Sequence, residues 1–150
     1  MKNKKQKPEW IIHYVANGIP CDCCGKIEDP YIPGICDAHT HGLTEYFNHP
    51  ELRIVLDCGL NTVGFILNDF CIRIRNGKVF RPGDFVDDVI EGYKIRIDSV
   101  KEIDDQVEIL RIVFPDKEGL FPGESGCNEF IELQQYPLYM LENRGEEHVH

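Results

Sequence analysis

No run of about 18 consecutive apolar residues occurs in this 150-residue chain, so the sequence predicts no membrane-spanning helix. The lysine-rich start, 1–7, does not lead into an apolar stretch either, because Glu9, His13 and Asn17 interrupt the next ten residues. A secretory signal is therefore not expected, residues 1–7 read as a solvated basic tail, and the expected location is the cytoplasm. Positive charge is scarce. Sixteen Lys and Arg face 26 Asp and Glu, a formal net charge of −10. That argues against nucleic-acid binding, which needs clustered cations along a phosphate backbone. An acidic surface confers solubility and also suits a basic protein partner. Nucleotide-binding and serine-hydrolase signatures are missing too: there is no G-x-x-x-x-G-K-[ST] loop, no G-x-G-x-x-G after a strand and no G-x-S-x-G elbow. Internal repeats are absent, and the length fits one domain with its own core.

What is plentiful is cysteine. The count is seven, and odd. With no secretory signal, a full disulfide framework is not expected. Cys58, Cys71 and Cys127 are isolated and read as inert, buried small residues. The others fall in the segment 21–41. Cys21, Cys24, Cys36 and His39 form a C-x2-C-x11-C-x2-H pattern, with Gly25 permitting the first turn. Zinc takes four such ligands tetrahedrally, and a pair–loop–pair layout supplies them without a large core. These four are the candidate zinc ligands, with Cys23 and His41 as alternates. The pattern requires a turn across residues 36–39. If that stretch is extended, Asp37, His39 and His41 share one face and Cys36 points to the other.

The same stretch supports a different chemistry. Pro33-Gly34 followed by Asp37, His39 and His41 resembles the first metal-binding strand of the amidohydrolases, in which such a histidine pair holds a catalytic metal. That fold is a barrel of about 250 residues, longer than this chain. The amidohydrolase assignment is therefore rejected. A small unrelated metal-dependent hydrolase built on His39 and His41, with Asp37 or His49, stays open, and His49 with Glu51 could also line a pocket as acid and base. An enzyme, a zinc-stabilised interaction or regulatory module, and an acidic inhibitor of immunity type are the rival classes; the module leads.

The hydrophobic pattern predicts an α+β fold: a mixed, mainly antiparallel sheet with one main helix packed on it, an N-terminal helix and a Cys-rich loop. Trp10, Ile11, Tyr14 and Val15 recur at helical spacing between Pro8 and Gly18, predicting that first helix. Residues 19–34, rich in proline and glycine, read as loop. Strands are expected over 35–41 and 52–56. The clearest helix starts near Asn61, buries Val63, Ile66, Leu67, Phe70, Cys71 and Ile74, and stops at Asn76-Gly77. Arg81–Asp84 and Pro115–Gly119 read as turns and 85–90 as a helical turn. Tyr93, Ile95 and Ile97 alternate with charges, and 107–114 returns as an antiparallel partner across Asp104-Asp105. Residues 130–141 are ambiguous, with Pro137 limiting them to an edge or irregular segment, and 142–150 read as a polar tail, leaving 8–141 as the domain.

The strings His41-Gly-Leu43, His49-Pro-Glu-Leu52, Ile66-Leu-Asn68, Arg75-Asn-Gly-Lys78, Phe114-Pro-Asp116 and Phe121-Pro122 occur in order over about 38–124. In order and spacing they resemble the bacterial family known as a domain of unknown function, DUF4262. That resemblance implies a bacterial or phage origin and a mixed α/β fold, and no catalytic residues.

Overall fold

A computed structural model describes residues 9–20, 24–102 and 108–143. Ile11–Ala16 forms strand β1, not the expected N-terminal helix. Trp10, Ile12, Tyr14 and Ala16 pack into the core, while Ile11 and Val15 are exposed. The working period is therefore two. Residues 10, 11, 14 and 15 fit a helix in isolation, but a six-residue antiparallel pairing with a later strand overrides that preference. The expected loop holds a small hairpin, β2 (Ile19–Pro20) with β3 (Ile27–Glu28).

Ile35–His41 is β4 and Glu51–Leu56 is β5, both as expected. Between them lies a short helix, α1 (Leu43–Phe47). Gly42 precedes it at φ 119°, and a Cβ there would lie 2.3 Å from the Glu9 carbonyl oxygen, so only glycine lets the chain entering β1 pass this close. Helix α2 spans Leu60–Arg75 and buries the six residues anticipated from spacing. Its N-cap is Gly59 and not Asn61; Asn76 caps the other end.

Phe85–Val86 (β6) replaces the expected helical turn at 85–90. Ile95–Ser99 (β7) pairs antiparallel with Ile109–Val113 (β8), as the alternating pattern implies. The expected turn at Asp104-Asp105 lies outside the described residues. Both expected turns at 81–84 and 115–119 close, with Asp84 N donating to Arg81 O and Gly119 N to Asp116 O. The ambiguous C-terminal stretch is α3 (Glu129–Glu132) followed by single 3-10 turns at Leu133–Gln135 and Leu138–Leu141.

The main sheet has the order β1-β4-β5-β8-β7-β6. Only β5 and β8 run parallel, and the connection between them carries α2. The sheet is thus mixed and mainly antiparallel within an α+β fold. One face, bearing Ala38, Ile54, Ile97, Leu110 and Ile112, is covered by α2 through Phe70 and its neighbours. Part of the other face is covered by the C-terminal segment, where Leu133, Leu138 and Leu141 pack with Tyr31, Ile35 and Val55. Asn143 N donates to Pro30 O, so the described start of the C-terminal tail is docked. Residues 1–8 and 144–150 lie outside the described residues. No helix among the described residues is long and apolar enough to cross a membrane.

Candidate functional site

Strand β4 is extended throughout, so its side chains alternate between faces. Cys36 and Ala38 point into the α2-side core, and both are fully buried. Asp37, His39 and His41 point to the opposite face. The strand therefore does not bring Cys36 and His39 to a common ion. The Cys36 thiol contacts the Ile54 carbonyl at 3.6 Å. Burial, with the Asp57 and Asp37 charges nearby, pushes its pKa far above the ordinary thiol range. Cys24 is exposed between β2 and β3, and Cys21 and Cys23 lie outside the described residues. The expected turn at 36–39 is not formed: residues 36–41 pair continuously with β1, and Ile35, Ala38 and His39 pair with β5 around a register irregularity between Ile35 and Ala38. Among the remaining cysteines, Cys71 is buried as anticipated, Cys127 is half-buried and Cys58 is exposed.

The face that carries His39 holds an unforeseen polar row. Strand register places His13 beside His39, His39 beside Arg53, Arg53 beside Arg111 and Arg111 beside Asp98. Residues in register on neighbouring strands present side chains to the same face. Arg53 Nε donates to Asp37 Oδ1 at 2.9 Å, and its Nη1 lies 3.7 Å from Glu102. Arg111 is almost fully buried and binds Glu102 as well as the carbonyl oxygens of Gln134 and Tyr136. Buried charge is tolerated only when paired and hydrogen-bonded, and this network meets that condition, since no buried side-chain polar atom among the described residues lacks a partner.

At the open end of the row three imidazoles gather. His39 Nδ1 lies 2.9 Å from Asp37 Oδ1, and His39 Nε2 lies 3.2 Å from His41 Nε2. His13 stacks beside His39 with ring centroids 5.5 Å apart and meets His41 edge-on at 4.7 Å. Burial alone would raise the Asp37 carboxyl. The His39 hydrogen bond and the Arg53 charge outweigh it and hold the group below the usual carboxylate range. Asp37 is thus an anion and an acceptor, which places the His39 proton on Nδ1 and the lone pair on Nε2. Partial desolvation, then the neighbouring His39 and His13, lower the His41 pKa, favouring its neutral ring. Tyr31 stands near the same carboxylate. Burial first, then Asp37 and Glu142, push its hydroxyl up to about 12.

His39 Nε2 and His41 Nε2 share a hydrogen bond, and once its proton leaves, the same separation matches one edge of a metal tetrahedron. Ligand nitrogens about 2.0–2.1 Å from zinc stand roughly 3.3–3.4 Å apart. A histidine whose second nitrogen donates to a carboxylate is the usual supported ligand. Among the described residues no group of three His, Cys, Asp or Glu side chains is already arranged around an ion position. His13 is the third imidazole beside the pair, its ring centre 4.7 Å from that of His41.

Two other expected site residues are structural. His49 is buried, its Nδ1 2.8 Å from Pro50 O and its Nε2 accepting from Phe80 N at 3.0 Å. Glu51 accepts from Thr40 Oγ1 and from the backbone amides of Gly42, Leu43 and Thr44. Sequence reasoning misses His13, Arg53, Glu102 and Arg111. For His13 the mistaken helix hides the strand register. For Arg53 and Arg111 a signal is present: each is a charge flanked by apolar residues inside a strand, a pattern that fits a sheet covered on both faces.

A family model described as "Domain of unknown function (DUF4262)" matches residues 7–128. No curated protein and no solved structure matches the chain.

Proposed function

Since the chain belongs to that family of unknown function, we propose from its own geometry that it is a divalent-metal-binding domain, taking a zinc-class ion on the Nε2 atoms of His39 and His41. The 3.2 Å separation of those nitrogens, with Asp37 holding the far side of His39, is the observation that supports the reading. Imidazole suits zinc among the first-row metals. Here the ligands come from one strand face, and the three cysteines of the Cys/His pattern are not needed. With two protein ligands, or three if His13 turns inward, a coordination position stays free for water. That is the layout of catalytic sites and not of closed structural ones, so a hydrolytic role is the second reading.

Zinc titration followed by calorimetry tests the proposal. One ion per chain is expected. His39→Ala and His41→Ala should each abolish binding at this site, Asp37→Asn should weaken it by about 10–100-fold, and Cys24→Ser should leave it unchanged. Undiminished binding in the double variant His39→Ala/His41→Ala would assign the metal elsewhere, to the cysteines or to His148 and His150. For the second reading, zinc-dependent cleavage of an activated ester must vanish in His39→Ala.

A further inference from the structure

At the other edge of the sheet from the imidazoles, β6 and the turns around 87–94 and 115–124 enclose a cleft of about 570 Å³, within the usual range for small-ligand sites. Its floor is held rigidly. The Asp116 carboxylate accepts from the backbone amides of Glu118, Leu120 and Asn128, which pins the 115–120 turn. Phe121, 5% exposed, lies between the Phe85 ring at 5.5 Å and the Arg96 guanidinium at 5.2 Å. Arg96 is fixed in turn by Asp98 and the Pro122 carbonyl.

The rim is exposed. Phe85 and Tyr93 are 55% and 49% exposed, a large aromatic area to leave against water. Lys94 Nζ stands 5.4 Å from the Phe85 ring centre. Among the described residues neither Lys94 nor Lys117 is in an ion pair. The two carboxylates of the cleft are turned to the backbone instead, Asp116 in its turn and Glu124 by accepting from Phe121 N at 2.8 Å. The groups that can meet a ligand are therefore the exposed parts of Phe85 and Tyr93 and the ammonium groups of Lys117 and of Lys94, which stands over Phe85, in a chain whose formal charge is −10.

We propose that this cleft binds a small planar aromatic anion of nucleoside-monophosphate size, with the ring against Phe85 and Tyr93 and the anionic group at Lys94 and Lys117. The site is separate from the imidazoles and does not depend on metal binding there.

Amide NMR titration with AMP and with phenyl phosphate tests it, with adenosine and inorganic phosphate as half-ligands. Saturable shifts at Gly92, Lys94, Lys117 and Gly119 are expected, with a Kd of about 1 mM or tighter for at least one of the two aromatic phosphates. Both half-ligands should bind more weakly than the ligand that joins them. Tyr93→Ala and Lys117→Gln lie on the exposed rim, so the fold should survive them, and each should weaken binding roughly tenfold. Failure of both aromatic phosphates to saturate, affinity unaltered in both variants, or shifts confined to His13, His39 and His41 would each overturn the proposal.

Discussion

At the scale of single residues, two carboxylates show how this chain uses its negative charge. Glu51 satisfies one hydroxyl and three backbone amides at the start of α1, and it is 8% exposed. A buried donor left without a partner costs about 1–3 kcal/mol. Glu51→Ala strands several at once, so unfolding titrations should show a loss of about 3 kcal/mol or more, while Glu51→Gln should lose less. Asp116 plays the same part in the turn after β8. The Leu120 amide, followed by those of Asn128, Glu118 and Gly119, holds its carboxyl below the ordinary range against a smaller opposing effect of desolvation. A depressed folded pKa means stability that is present above the unfolded value of about 3.9 and lost as pH falls through the folded one. Asp116→Asn should therefore lower the Tm at neutral pH and flatten the decline in Tm below about pH 4. An acid limb as steep as that of the parent chain would show that Asp116 is not its source.

At the scale of elements, α2 and β1 make a matched pair. The six buried residues of α2 are legible in the sequence because sixteen residues of one period leave little ambiguity. Strand β1 is not, because Trp10, Ile11, Tyr14 and Val15 satisfy a helix while Trp10, Ile12, Tyr14 and Ala16 satisfy a strand. Six residues of local pattern cannot choose between them, and the long-range pairing with β4 does. The helical reading removes His13 from view. An extended β4 is the condition that separates Cys36 from His39, yet spacing alone cannot say whether a turn forms there. Within α2, Gly64 is the local flaw: its helical backbone is ordinary, and a Cβ added there meets nothing within 4 Å. Gly64→Ala should raise stability by about 0.5–1 kcal/mol in chemical denaturation. A destabilised variant would show that the added methyl meets a clash and that the helix-propensity gain does not decide the outcome.

At the scale of the whole molecule, the question is whether the fold needs a metal. A loop-rich domain tied by a Cys/His quartet unfolds when the ion is stripped. Among the described residues the apolar core is continuous. Six strands pair continuously, α2 seals one face, and the C-terminal segment anchors to the other through Arg111 and Gln134. Among the described residues, the imidazoles of β1 and β4 belong to neither apolar cluster. Chelator treatment should therefore leave circular dichroism unchanged and the chain folded. Added zinc should act only by mass action, stabilising by about 2.7 kcal/mol at a hundredfold excess over Kd, or roughly 5–10 °C in Tm for a chain of this length. That increment should disappear in His39→Ala and shrink in His13→Ala if the edge strand contributes a ligand. Cooperative unfolding on chelation would instead return the metal to the cysteine segment, because only an ion tying that segment to the sheet could carry so much of the fold.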